Sequence, residues 1–391
     1  MAATATSTAT STATRTAHRR FHVHARAAHS SGSVYRPRRP TATPLYPVVQ
    51  HNLETFLAAA EEADPLGFGV SAWIERDFRA YLRCGILAHG FARARCDDCG
   101  HERLIAFSCK GRGVCPSCNA RRMAEVAAHM TDHVLPHLPV RQWVLSLPKR
   151  LRPFLHYNPE VAGSVLSVFL RALRSTLRHV SPTAPPGATF AAVSFPQRFG
   201  SSLNAHFHFH VLALDGVLSE QGPGGQVRFH EATLLTPERW KGLERTVQHR
   251  VLRAFRGRGL LEQDVVSDML TWQASGGFSV DASVRVEGDD RAGVERLVRY
   301  CARGPLALER LHALGGQHAS PDARLLYRLP EPDLQGRTVL LLSPLELLER
   351  LARQRFALLT DPATPHPPPP LPRPARAPRP AQARRRRHRQ G

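Results

Sequence analysis

Acidic residues are missing from both ends of this chain: none precedes Glu54 and none follows Asp361, although 32 lie between them. The N-terminal end instead carries Arg15, Arg19, Arg20, Arg26, Arg36, Arg38 and Arg39, and the C-terminal end Arg373, Arg376, Arg379, Arg384, Arg385, Arg386, Arg387 and Arg389. Those fifteen arginines supply most of the formal net charge of +21 and leave +6 for the middle of the 391 residues. A polyanion, nucleic acid first, is the expected partner, with the tails contributing more of the field than the body. The chain also lacks an apolar run long enough to cross a bilayer, which argues against a membrane protein. Cysteine is scarce, and five of the seven crowd into residues 96–118, a grouping that argues against a secreted disulfide framework and for metal binding in a reducing compartment. With six tyrosines in all, few residues could serve as a phenolic nucleophile.

What is present divides the chain into four parts. Residues 1–45 are expected to be a disordered basic tail. The opening MAATATSTATSTATRTAHRR also has the composition of an organellar transit peptide, but the recurrence of the same bias at the other end favours a simple extension. From Asp361 the run PATPHPPPPLPRPARAPRPAQARRRRHRQG removes amide donors and concentrates like charge, so 354–391 is expected to be an extended, solvated tail. Between the tails, 42% hydrophobic residues can supply more than one core.

The order of elements predicts an α+β protein. LYPVVQHNLETFLAAAEEA and WIERDFRAYLRCGILAHG have helical apolar spacing, broken near Pro65 and Gly67. With the cysteine cluster and the helix NARRMAEVAAHMTDHVL, they make a first, zinc-ribbon-like helical domain over 46–135. RQWVLSLP then reads as a strand, and Asn158-Pro159 opens a long helix. TFAAVSFPQ and AHFHFHVLAL read as two more strands. A helix from Thr236-Pro237 to about Gly257, the strand FSVDASVRV and the helix VERLVRYCAR follow. Strands interleaved with helices predict a second domain over 140–345, with a mainly antiparallel sheet flanked by helices.

Cys96-Asp-Asp-Cys99 and Cys115-Pro-Ser-Cys118, fifteen residues apart, match the spacing of a four-thiolate zinc site built from two turns. Cys109 is an alternative ligand or packing residue, and Cys84 and Cys301 read as ordinary buried thiols. The surrounding Arg93, Arg95, Arg103, Lys110, Arg112, Arg121 and Arg122 make this module basic. It either grips DNA phosphates or serves a purely structural zinc.

Two further patterns carry chemistry. In NAHFHFHV, strand alternation turns His206, His208 and His210 one way and Phe207, Phe209 and Val211 into the core. Imidazoles two residues apart can share one metal, and a wet strand face explains the same register. In VERLVRYCARGP, Val294, Leu297, Val298 and Cys301 form an apolar helical stripe, Arg296, Arg299 and Arg303 gather opposite, and Tyr300 falls on the border. A phenol flanked by guanidiniums suits attack on a phosphodiester, while an interfacial tyrosine on a solvated basic face gives the same pattern.

Taken in order, CDDCGHERLIAFSCKGRGVCPSCNARRMAE, RQWVLSLP, FPQRFGSSLN, HFHVLALDGV and RYCARGPLALERL resemble the insertion sequence 91 family of rolling-circle transposases, within the HUH single-strand DNA nucleases. The resemblance runs from about Tyr35 to Arg353. It implies a transposase zinc-binding domain followed by an HUH domain that nicks and joins single-stranded DNA. His208 and His210 then hold a catalytic Mg²⁺ or Mn²⁺, with Gln197 as candidate third ligand. Tyr300 is the nucleophile of a 5′-phosphotyrosine intermediate, and Arg112, Arg121, Arg122, Arg299 and Arg303 are DNA contacts. The implied partners are single-stranded or hairpin element termini, and the implied location is the bacterial cytoplasm, nucleoid-associated when bound to DNA. Three features depart from the family pattern: Arg296 where two-tyrosine members place a second tyrosine, Gly304 in place of a proline, and the whole stretch after Arg353. A non-catalytic, zinc-dependent DNA-binding remnant therefore stands as an alternative. Plasmid relaxases and replication initiators share the histidines and tyrosine, but the four-cysteine module argues against them.

Overall fold

The structure is a computed structural model that describes residues 38–353 except 66, 98, 112, 221–224, 273–276, 316–319, 321 and 334. Both tails fall almost wholly outside the described residues, as does Arg112. Among the described residues no helix is long and apolar enough to cross a membrane.

The first elements form where the apolar spacing predicts them. Helix α1 (Leu45–Ala63) buries Leu45, Val48, Val49, Leu53 and Phe56, and α2 (Ala72–Arg83) buries Ile74, Phe78 and Tyr81. The two meet through Phe56 and Phe78, whose rings sit edge to face at 6.1 Å, a favourable quadrupole arrangement. An exposed antiparallel hairpin follows, β1 (Phe91–Arg95) with β2 (Glu102–Ala106), and then α3 (Pro116–His129).

The central sheet is built from β3 (Val140–Ser146), β4 (Ala192–Phe199), β5 (Ala205–Leu214), β8 (Ser279–Asp281) and β9 (Arg285–Val286). Its order is β4-β5-β3-β8 with β9 also on β3, and every pairing is antiparallel. The expected strand FSVDASVRV is thus two short pieces. Asp281 Oδ1 accepts from the Ser283 amide at 3.1 Å, a local turn that competes with the ladder. Between β3 and β4 run α4 (Arg152–Tyr157) and α5 (Pro159–Val180). The Asn158 side chain caps α5, accepting from the amides of Glu160 and Val161. A hairpin of β6 (Gly216–Glu220) and β7 (Val227–Glu231), then α6 (Pro237–Gly257) and α7 (Gln263–Thr271), lead back to the sheet, and α8 (Arg291–Ala302) follows it.

Both faces of the sheet are covered. On one, Trp143, Leu145, Phe207, Phe209 and Val211 pack with the apolar stripes of α5 and α6. On the other, Val140, Leu212 and Leu214 pack with Val294, Leu297, Val298 and Cys301 of α8 and Ala127 of α3. Period-two alternation puts His208 and His210 in the same row as Leu212 and Leu214, so they face a helix and not water.

The last described elements do not belong to this sheet. Strands β10 (Leu311–Ala313), β11 (Leu325–Arg328) and β12 (Val339–Leu342) form their own antiparallel sheet, followed by α9 (Pro344–Arg353). Tyr327, Leu342, Leu347, Leu348 and Leu351 share a core with Leu45, Leu53, Phe78 and Cys118. The C-terminal segment therefore packs its apolar face against the N-terminal helices. Its apolar stripe specifies a buried face and says nothing of the partner.

One buried charge ties the sheet's strands together. Asp215, 2% exposed at the end of β5, accepts from Arg141 Nε of β3 at 2.7 Å and Arg285 Nε of β9 at 2.6 Å. Removing the carboxylate leaves the partly buried Arg141 guanidinium with only the Ala282 carbonyl, whereas Arg285 keeps Glu231 and Glu287. Asp215→Asn is therefore expected to lower unfolding free energy by about 3 kcal/mol in a urea titration. A loss under ~0.5 kcal/mol would show that solvent replaces the pair.

Candidate metal centres and active site

Four sulfurs converge beneath the hairpin: those of Cys84, Cys109, Cys115 and Cys118 all lie within 4.8 Å of one another. The closest separations are 3.5 Å for Cys109–Cys118, 3.6 Å for Cys84–Cys118 and 3.7 Å for Cys84–Cys115. Four thiolates about a tetrahedral zinc, with Zn–S near ~2.3 Å, stand ~3.8 Å apart, so the quartet fits that ion. The Cys109 amide donates to Cys84 Sγ at 3.2 Å, orienting a ligand as amides do in thiolate sites.

This set corrects the expected pairing of the two C-x-x-C turns. Cys115 and Cys118, at the start of α3, are in the quartet. Cys96 and Cys99 are exposed at the hairpin tip, and Cys84 and Cys109 take their places. The cause is the hairpin itself. Gly85 N donates to Phe107 O and Phe107 N to Gly90 O, which closes the loop's base and brings Cys84 beside Cys109. The tip lies five strand residues beyond, roughly 16 Å away. The C-x-x-C spacing is the louder signal, and Cys84, with no neighbouring cysteine, shows none until the hairpin is paired.

The second centre lies where β5 meets α8. The Nε2 atoms of His208 and His210 are 3.0 Å apart, and both side chains are buried. His208 Nδ1 faces the His206 carbonyl at 3.0 Å, and His210 Nδ1 faces Gln142 Nε2 at 2.7 Å. The first contact places a proton on Nδ1 and leaves His208 Nε2 as a lone pair. Turning the Gln142 amide by half a revolution would do the same for His210, the usual second-sphere arrangement of metal-bound imidazole. Burial pushes the His210 imidazole down to about 3 and lowers His208, so both are neutral near pH 7, as ligation requires. Gln197 stands opposite His208 on β4; its Nε2 donates to the Cys301 carbonyl at 2.7 Å, while Oε1 is buried without a partner. Two imidazole nitrogens and an orphaned amide oxygen suit a divalent cation. Gln142, which holds His210 and reaches Cys301 Sγ, belongs to no metal-ligand or catalytic motif of the sequence and is found only through these contacts.

Tyr300 projects from α8 beside the pair. Its ring is perpendicular to that of His210 at 5.5 Å between centroids and is 46% exposed. The Arg303 guanidinium stacks 4.4 Å from the same ring, and its Nε is buried without a hydrogen-bond partner. A cleft of ≈ 730 Å³ runs alongside, lined among others by Arg122 of α3, Gln197 and Phe199 of β4, and Arg303. Of the arginines expected to meet DNA, Arg122 and Arg303 lie in this cleft. Arg121 and Arg299 are instead paired at 2.6 Å with Glu125 and Glu295 on exposed helix faces. Gly304 gains a reason as well: a Cβ there would stand 2.8 Å from that of Asn119 on α3, so the bare backbone permits the approach.

Two outcomes follow from this geometry. Purified protein with Cys84→Ser is expected to lose its zinc, measured by elemental analysis, while Cys96→Ser retains it; the opposite result would restore the two-turn site. The second concerns pH. Burial, with Arg198 and Arg152 nearby, pushes His156 down to about 4. Because the unfolded chain takes up this proton near pH ~6.5 and the folded one does not, the stability is present above that value and lost as pH falls toward 4. The urea midpoint should drop across this window, and less steeply in His156→Phe.

Family comparisons agree with this layout. The family model "Transposase zinc-binding domain" matches residues 52–147, and "Putative transposase" matches 191–354. The chain is also similar to the transposase for insertion sequence element IS801 of Pseudomonas savastanoi pv. phaseolicola, 27% identical over 166 residues. That similarity covers 42% of this chain and only 38% of the relative. No solved structure matches the chain. The zinc-binding model spans all four converging cysteines, and the second spans the histidine pair and Tyr300. With both domains in order, the chain belongs to the insertion sequence 91 family of transposases.

Proposed function

We propose that this chain nicks and rejoins single-stranded DNA at the ends of a mobile element, with Tyr300 as nucleophile, in rolling-circle transposition. The observation that carries the reading is the exposed phenol packed against His210, beside two convergent imidazole nitrogens and an unpartnered Gln197 oxygen. His208, His210 and Gln197 would hold Mg²⁺ or Mn²⁺, whose contribution when bound is Lewis-acid polarisation of a non-bridging phosphate oxygen.

The chain's own residues supply the rest. Tyr300 Oη gives up its proton and attacks phosphorus, forming an O–P bond as the bond to the 3′ oxygen breaks. The departing oxygen takes a proton and becomes a free 3′-hydroxyl, while the 5′ phosphate stays on the tyrosine. Reversal, with a different 3′-hydroxyl attacking, joins strands without an external energy source. Arg303, stacked on the phenol and with an unused Nε, is placed to pair with the phosphate oxygens and offset charge that develops on them. Gln142 keeps His210 in register. Arg122 and Phe199 in the cleft offer a cation and an aromatic face to a single strand, whose bases stack on such rings. Strand selectivity, hairpin recognition and a cytoplasmic, nucleoid-associated location follow from this reading.

A suicide assay tests it. Incubated with single-stranded element termini and Mg²⁺ or Mn²⁺, the wild type should form a protein–DNA adduct that denaturing gels resolve. Tyr300→Phe should abolish the adduct and chelation should prevent it. Gln197→Ala should slow it at least about tenfold through weakened metal binding. Failure of the wild type to form an adduct with either metal would leave a DNA-binding protein without nicking activity.

A further inference from the structure

Beside the histidine pair lies a group of basic side chains that the nicking chemistry leaves unused. His156 of α4 is 2% exposed, and neither of its ring nitrogens has a hydrogen-bond partner. His206 likewise buries an unpartnered Nε2. Arg152, one helical turn before His156, donates Nε to the Leu147 carbonyl at 2.8 Å, and among the described residues no carboxylate is paired with it. Arg198 of β4 stacks 5.7 Å from the Phe207 ring centroid, and the His156 ring packs edge-on against that same ring at 5.4 Å.

A fault in the strand ladder gathers these groups. Gln197 pairs with His208 and Phe199 with Ala205, so His206 and Phe207 together stand opposite the single residue Arg198. Such a bulge breaks alternation and re-aims side chains, commonly at active sites. The His206 ring remains 5.0 Å from that of His208, so the basic group is continuous with the metal-binding pair. The charged or titratable neighbours that act on His156 are Arg198 and Arg152, and those acting on His206 are Arg152, His208 and His156. None of them is an acid. Burying the Arg152 guanidinium beside the two imidazoles with no carboxylate paired to it among the described residues is costly, and orphaned ring nitrogens add to that cost. The arrangement is compensated when an anion enters, and the substrate carries a phosphate on either side of the one that reacts.

We infer that Arg152, His156 and His206 form a second phosphate pocket, which grips the DNA backbone next to the scissile linkage. Its residues position the strand and take no part in bond making. Arg152 offers unused guanidinium donors, and the two imidazoles offer a ring N–H each. The inference rests on the proposal that single-stranded DNA crosses the histidine pair, and the experiment separates the two.

Binding of a single-stranded terminus to the full chain carrying Tyr300→Phe is followed by fluorescence anisotropy, with neutral methylphosphonate linkages introduced one at a time around the cleavage position. One linkage adjacent to the scissile phosphate should weaken binding about tenfold, the loss typical of a charge-assisted contact. Adding Arg152→Met should weaken the all-phosphate strand to the same extent and make binding indifferent to that linkage, and Arg152→Lys should recover part of the effect. The linkage scan needs no substitution at Arg152, so a folding defect in Arg152→Met cannot mask the answer. If no neighbouring linkage matters, or if Arg152→Met remains as sensitive to it as its parent, the pocket holds no phosphate. Because binding is read without chemistry, failure of Tyr300 to form an adduct leaves this result standing. An unresponsive scan beside normal adduct formation removes the pocket alone.

Discussion

The packing of α8 on the central sheet is the contact on which the rest of the structure depends. Val294, Leu297, Val298 and Cys301 bury one face of that helix against Val140, Leu212 and Leu214, and the buried row of the strand continues into His210 and His208. An apolar seam thus sets the distance between a phenol and an imidazole. Tyr300 lies just off the seam and stays half-exposed, whereas Cys301, one residue on, is inside it. Hydrophobic burial along one face of the helix thus fixes where the phenol at the edge of that face stands.

The zinc module takes part in that same packing. Its helix α3 begins at Cys115, carries Cys118 in its first turn and lies against α8, with Ala127 in the common core. Asn119 on this helix abuts Gly304, just beyond the tyrosine. The cysteine quartet therefore sits at the start of a helix that packs against the one carrying Tyr300. The C-terminal strands and α9 close the core around α1 and α2, so the two ends of the described chain stabilise one module.

Charge is distributed by the same logic. Asp215 is buried because Arg141 and Arg285 meet it with good geometry, and the pairing holds three strands in register. Two cations near the histidine pair have no carboxylate partner among the described residues: Arg303 stacks on a ring, and Arg152 bonds a carbonyl. Ion pairs are satisfied where the fold needs rigidity, and cationic donors are left over where a phosphate is expected.

Local pattern alone determined a good deal about this protein. Alternation gave β3 and β5, the 3.6-residue stripe gave α5, α6 and α8, and the Asn158-Pro159 pair gave a helix start, because each depends on a short stretch of chain. That His208 and His210 share one face of β5, and that Tyr300 borders the apolar stripe of α8, was legible too, since both follow from strand and helix periodicity. Tertiary structure decided what depends on partners distant in the chain. It replaced Cys96 and Cys99 with Cys84 and Cys109, because a paired hairpin joins its base and isolates its tip. It placed His206 and Phe207 together opposite the single residue Arg198 through a bulge that no residue type announces, with the His206 ring still beside that of His208. It turned a possible wet face into a buried one by laying α8 across it, and it joined the C-terminal strands to the N-terminal helices. Spacing along the chain shows which residues can share a face; only packing shows what that face meets.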